Sequence, residues 1–219
     1  MSELKLEILS QQAHEAVACS YCFMNDRARE WGHVSDRPAD RLDDVPFVPW
    51  VGLRYATATP RVVVMMLNPG HAAAPHKLIR RDLGHKFRKG EITYEEYNRK
   101  LTTFVPKWGF GGVVRWLRAI NLEPETVTFL NVALCAVAND KYFPKLFETC
   151  FERHTRNLLA TLEPDVVLLC GKKDLARYAS SIESLGTTVI LTWHYRGMHT
   201  GKGKAELQRV RAELDKLGC

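Results

Sequence analysis

The fold is decided by the segment Arg61-Val-Val-Val-Met-Met-Leu-Asn68-Pro69-Gly70. An unbroken apolar run that ends in turn-forming residues is typical of a strand with both faces buried in a parallel sheet. Three further segments show the same pattern, at 127–132, 165–170 and 187–192. The sequence therefore predicts four buried strands.

Segments with helical spacing separate and flank these predicted strands. They cover 4–18, 94–104, 112–120, 144–162, 172–181 and 204–217. Strands that alternate with helices are typical of a parallel sheet covered on both faces. We therefore expect an α/β fold, a three-layer αβα sandwich around a mostly parallel four-stranded sheet. The length of 219 residues predicts a single domain over residues 1–219.

The net charge is compatible with a polyanionic partner, although many basic proteins bind no nucleic acid. The formal charge is +6 and the sequence pI is about 9.0, and Lys and Arg gain affinity by displacing counterions from a phosphate backbone. No apolar run is long enough to cross a bilayer, and Met1 is not followed by a secretory signal. We expect a cytoplasmic monomer without a membrane partner. Its six cysteines then indicate thiols or metal ligands rather than a disulfide framework.

Polar residues follow the predicted strands beyond their carboxyl ends, where open parallel sheets bind ligands. The first strand is followed by Asn68-Pro69-Gly70, the second run contains Asn131, and the last is followed by His194. Each of these residues alone is more typical of a turn or a strand end. Because the strands share one edge, we expect the two asparagines and the histidine to meet around one site.

The three motifs, taken in this order, resemble the uracil-DNA glycosylase superfamily. The Asn68-Pro69-Gly70 turn is similar to the first motif of the mismatch-specific branch, and Phe129-Leu130-Asn131-Val132 to the strand whose asparagine reads the base edge. Thr192-Trp193-His194 occupies the place of the second motif. Tyr195 and Arg196 stand where the family has Pro and Ser, which leaves the base preference open.

The resemblance implies an enzyme that flips a damaged base out of DNA and hydrolyses its N-glycosidic bond. Asn68 would be catalytic by orienting the attacking water, and His194 by donating a hydrogen bond to the base oxygen that gains negative charge. Substrate binding would use Asn131 on the polar edge of the base and the Gly70 turn for close backbone approach. Phe110 is the candidate for stacking on the flipped ring, with Trp108 as the alternative and core packing equally open for both.

The resemblance also implies contacts with the DNA strand. Arg196 and Met198 would enter the space that the base leaves, and Lys202 would contact phosphate. A basic run over 77–89 is a second candidate for phosphate contact, although a solvated basic face explains it equally well.

Four cysteines form a separate pattern, a Cys19-x-x-Cys22 pair followed by Cys135 and Cys150. Soft thiolates in this arrangement suit an iron–sulfur cluster, with zinc as the less favoured ligand. The spacing resembles the family 4 branch of the superfamily, which implies that the four residues hold a [4Fe-4S] cluster. The alternative is that they are small buried apolar residues.

Two other functions compete with a uracil glycosylase. One is a non-catalytic nucleic-acid-binding member of the same superfamily, or an enzyme for another deaminated base such as hypoxanthine. The other is an interaction scaffold unrelated to DNA. A nucleotide-binding P-loop is rejected because Gly201-Lys202 is followed by Gly203 instead of Ser or Thr.

Overall fold

A five-stranded mixed sheet forms the centre of the described part of the chain. The structure is a computed structural model that describes residues 3–22, 27–30, 45–67, 69, 74–106, 112–137, 142–194 and 201–218. The strands are β1 (Trp50–Val51), β2 (Val62–Met66), β3 (Val127–Asn131), β4 (Val166–Cys170) and β5 (Thr188–Thr192). Their order is β1-β3-β2-β4-β5, with β2 to β5 parallel and β1 antiparallel to β3. The α/β class and the parallel strands are thus confirmed.

The prediction of a four-stranded sheet is wrong because β1 adds a fifth strand. It has only two residues, which pair with Thr128 and Phe129, so no periodicity reveals it. Its outer edge pairs with a side chain instead of a strand, because Asn98 donates to the carbonyl of Val51 (2.7 Å) and accepts from its amide (2.8 Å). A contact 47 residues away in the sequence therefore stabilises this strand.

The α-helices mostly coincide with the predicted segments. They are α1 (Glu3–Ala18), α2 (Arg27–Glu30), α3 (Ala74–Arg88), α4 (Tyr94–Thr102), α5 (Gly112–Ala119), α6 (Pro144–Cys150), α7 (Arg156–Leu162), α8 (Lys172–Leu175), α9 (Ala179–Glu183) and α10 (Gly201–Lys216). The sequence did not predict α3, since basic residues interrupt its apolar spacing. A π-helical turn, Phe151–Thr155, joins α6 to α7 inside the predicted helix 144–162.

Local signals explain where two of these helices begin and end. Thr93 caps α4 by accepting from the amide of Glu96, and the Glu96 carboxylate accepts from the amide of Thr93 in return. At the end of α7, Glu163 adopts a left-handed conformation (φ 46°) and Pro164 follows, which prevents the helix from continuing. The chain then enters β4 directly.

Asp165 aligns the start of the parallel strands. Its carboxylate accepts from the amide of Arg61 (2.7 Å), just before β2, and its carbonyl accepts from the amide of Thr188 (3.0 Å), the first residue of β5. Because β2 to β5 have five residues each, their carboxyl ends are level as well.

Helices pack on the sheet to form one continuous buried apolar cluster among the described residues. Here α1 packs against α3, α4 and α7, whereas α9 and α10 pack against β5. Within the described ranges, no helix combines the length and apolar character needed to span a bilayer.

Candidate functional site

The parallel strands end at one level edge of the sheet. Met66 of β2 is in register with Asn131 of β3 and with Cys170 of β4, and Cys170 is in register with Thr192 of β5. The chain segments that follow β2 to β5 therefore all begin at this edge of the sheet.

The strand order places a topological switch point between β2 and β4. From β2 the chain proceeds to β3 on one side, and from β4 it proceeds to β5 on the other side. Connections that diverge in this way leave a crevice beyond the carboxyl ends of the two central strands, and such crevices bind ligands. Asn131 ends the strand on one flank, and His194 follows the strand on the other. With a strand spacing of about 4.8 Å, β3 and β5 are about 14 Å apart at this edge.

Asn131 is held firmly on its flank. The residue is 6% exposed, and its carbonyl accepts from the Thr155 hydroxyl (3.2 Å). Pairing with the β2 side continues past the strand, since the amide of Val132 donates to Met66 (2.8 Å) and that of Ala133 to Leu67 (3.0 Å). The predicted base-reading asparagine thus lies in a rigid, buried strand exit.

His194 lies on the opposite flank in a more open setting. It is half-buried and follows Trp193, whose side chain is 37% exposed. Behind it, Arg209 of α10 donates to the carbonyl of Leu191 and pairs with Glu206 and Glu213. This network, which was not predicted from the sequence, connects α10 to the end of β5.

Several predicted site residues lie outside the described residues. These are Asn68, Gly70, Trp108, Phe110, Tyr195, Arg196 and Met198. Lys202 belongs to α10, but its side chain is not among those described. Between Asn68 and Gly70, the carbonyl of Pro69 accepts from Arg80 of α3 (3.3 Å), so α3 contacts the predicted catalytic turn.

The basic run 77–89 lies mostly on α3, and several of its side chains have partners within the chain. Lys86 pairs with Asp82 (2.8 Å), Arg88 donates to the carbonyl of Val17 (2.8 Å), and Lys89 lies 3.7 Å from Glu91. These contacts favour a structural role for part of the run.

The four cysteines of the predicted ligand set converge on one partly open hollow, which we call the cysteine hollow. Cys22 and Cys150 are buried, and Cys19 and Cys135 are half-buried. The exit of β3 contributes Leu134 and Cys135 to the hollow. The lining residues come from α1, the segment after it, the segment before β1, the exit of β3 and the helical segment around Cys150. They are Ala16, Cys19, Ser20, Tyr21, Cys22, Pro46, Leu134, Cys135, Cys150, Arg153 and His154.

Burial raises the pKa of the two buried thiols in this hollow, Cys22 and Cys150, and so favours their protonated form. Burial raises the pKa of Cys150 to about 12, although the backbone amides of Leu134 and Cys135 oppose this by hydrogen bonding to the sulfur. The Leu134 amide lies 3.2 Å from that sulfur. Burial likewise raises the pKa of Cys22 to about 11 and exceeds the opposing effect of Arg153 and Arg27.

Two guanidinium groups pack on the aromatic ring between the first two cysteines. Arg27 lies 4.2 Å and Arg153 lies 4.1 Å from the ring centroid of Tyr21. Next to Arg153, His154 has a buried Nε2 without a hydrogen-bond partner among the described residues, and burial lowers the pKa of its imidazole. Tyr21, Arg153 and His154 were not among the residues predicted from the sequence, where their signal is their position beside the cysteines.

The chemistry of the four thiols that line the hollow is compatible with an iron–sulfur cluster. Among the described residues, no group of three or more His, Cys, Asp or Glu side chains is arranged to hold one metal ion. Backbone amides directed at Cys150 and nearby cations also suit thiolates that carry negative charge. Cys170 lies in β4 outside the hollow.

No protein-family model matches this chain, and no curated protein is significantly similar to it.

Proposed function

We propose that the chain is a DNA glycosylase that excises uracil or a related deaminated base. The observation that carries this proposal is the convergence of Cys19, Cys22, Cys135 and Cys150 on one hollow at the exit of β3. The resemblance to the glycosylase superfamily implies that these four cysteines lie together. The composition and the strand pattern do not require them to do so. The level strand ends, with Asn131 and His194 on the two flanks of the crevice, support the proposal further.

Recognition would begin at the buried flank of the crevice. The carboxamide of Asn131 offers both a donor and an acceptor, which matches the O4 acceptor and N3–H donor of uracil. A buried and anchored amide discriminates well, because a mismatched edge leaves a polar group unpaired.

Bond cleavage would use groups from the other strand exits. His194 would donate a hydrogen bond to the oxygen that gains charge as the base leaves, and Asn68 would orient the water near the sugar carbon. The Gly70 turn would allow close backbone approach, and Phe110 would stack on the ring. Arg196, Met198 and Lys202 would contact the DNA strand.

The cysteine hollow would hold a [4Fe-4S] cluster through its four thiolates. A bound cluster would act as a cross-link between the N-terminal helix and the exit of β3, without a step of its own on the base. We also propose a three-layer αβα arrangement in a single domain, a monomeric state and a cytoplasmic location.

An excision assay tests this function. The purified protein is incubated with oligonucleotides that contain one uracil, one hypoxanthine or no lesion, and free base and abasic sites are measured. We expect release from one of the lesion substrates, and we expect Asn68→Ala to reduce that release while lesion binding remains. Asn157→Ala, an exposed asparagine on α7, is the matched control and should behave as wild type.

Binding and base release, measured on the same oligonucleotides, separate the competing functions. Lesion-selective binding without base release would support the non-catalytic nucleic-acid-binding alternative. Absence of any salt-dependent affinity for oligonucleotides would contradict both and favour a scaffold unrelated to DNA.

A further inference from the structure

Thr155 is a buried polar residue that the proposed chemistry does not use. It is fully buried, and it ends the π-helical turn between α6 and α7. Its hydroxyl oxygen lies 3.2 Å from the carbonyl of Asn131 and 3.0 Å from that of Val132. A hydroxyl has one proton, so both carbonyls share one donor.

Past the end of β3, the amide of Phe47 donates to the carbonyl of Leu134 (2.7 Å). Among the residues that the structure describes, the pairing of β1 with β3 covers only Thr128 and Phe129. The carbonyls of Asn131 and Val132 lie beyond that pairing, in a buried region where carbonyl groups require donors. Thr155 provides the donor from a helix 23 residues away in sequence from Val132.

The π-helical turn brings Thr155 to this position. The amide of Arg156 donates to the carbonyl of Phe151, five residues back, and the wider turn moves the following side chains relative to α-helical spacing. Phe151 packs on Tyr178 with ring centroids 4.9 Å apart, which anchors the start of the turn. Single π-helical turns are frequent at functional sites.

We propose that Thr155 is a positioning residue for base recognition. Its hydroxyl anchors the peptide that carries Asn131, and this anchoring sets the direction of the Asn131 carboxamide. The inference rests on the proposed function, because Asn131 is assigned there to the polar edge of the base. It adds a residue on a different element that determines specificity without touching the base.

Two substitutions separate the hydroxyl from the shape of the side chain. Thr155→Val removes the donor and keeps the volume, whereas Thr155→Ser keeps the donor and removes a methyl group. Thr161→Val is the matched control, since Thr161 also donates a hydrogen bond, to Gln12 (2.9 Å) away from the crevice.

The first measurement is amide hydrogen exchange at Val132 and Ala133, whose amides bond to the exit of β2. We expect exchange about 10-fold faster in Thr155→Val and wild-type exchange in Thr155→Ser and Thr161→Val. The second measurement is KM and kcat on uracil substrate, with cytosine substrate as competitor. We expect a higher KM and about 10-fold less discrimination in Thr155→Val, with a smaller change in kcat and rescue by Thr155→Ser.

The outcomes separate the two proposals. An active wild-type enzyme with unchanged exchange and unchanged discrimination in Thr155→Val overturns the inference and leaves the proposed function intact. A wild-type chain that recognises no base overturns the proposed function and the recognition role together, and the exchange measurement then shows whether the anchoring itself exists.

Discussion

The two flanks of the crevice differ in how the fold holds them. On the β3 flank every strand residue is buried, and the exit contacts β2, Thr155 and the cysteine hollow. On the β5 flank the first residue is exposed and the following residues alternate between half-buried and buried, and the chain passes the exposed Trp193 before His194.

Under the proposed function, this difference would divide the tasks between the two flanks. The buried exit of β3 would hold Asn131 in one orientation, which favours discrimination between bases. The half-exposed exit of β5 would let DNA reach His194.

The largest expected effect is on the β3 flank, where replacement of Cys150 should remove all iron from the cysteine hollow. Anaerobically prepared wild type should contain about four irons per chain, and Cys150→Ala should contain none. Cys170→Ala is the control, because Cys170 is an equally buried thiol outside the hollow. Iron content and visible absorbance measure the effect. Iron-free, fully folded wild type, or equal loss in both variants, would refute the ligand set.

The second effect concerns catalysis on the β5 flank. His194→Ala should slow single-turnover excision by about 10²- to 10³-fold, since one donor to a developing anion is lost. The free energy of unfolding should change by no more than about 0.5 kcal/mol, because the residue is half-buried. Glu183→Ala, an exposed residue on α9, controls for general damage. A near-normal rate in His194→Ala would remove the histidine from the mechanism.

The smallest expected effect concerns the alkylation of the Cys22 thiol in iron-free protein. Burial raises the pKa of Cys22 from 9.0 to about 11, so the thiolate is disfavoured in the folded chain. At pH 8 its thiolate fraction should be about 100-fold below that of an unperturbed thiol, and alkylation should accelerate as the pH rises towards 11. The pH profile of alkylation, read by mass spectrometry with urea-denatured chain as control, measures this. An alkylation midpoint near pH 9 for Cys22 in the folded chain would contradict the burial of this thiol.

The sequence predicted the parallel strands well and the short strand not at all. Unbroken apolar runs such as 62–66 encode burial on both faces, so the pattern is sufficient. The strand β1 depends on Asn98, a side chain in α4, and no local pattern contains that information. The helix α3 escaped prediction because its basic residues interrupt the apolar spacing, although Leu83 and Phe87 are buried.

The candidate site, like the fold, could be predicted only in part from the sequence. Asn131 and His194 could be expected at one edge, since carboxyl ends of parallel strands always share an edge. Thr155 and Tyr21 could not be found, because their roles depend on contacts that join distant segments.

The sequence by itself determined the four parallel strands, most of the helices and the set of four cysteines. Side-chain type and spacing encode these features locally. Only the tertiary structure decided the strand order, the switch point between β2 and β4, and the meeting of the cysteines at the exit of β3. These features depend on packing between segments far apart in the chain, where burial and hydrogen bonding are satisfied jointly.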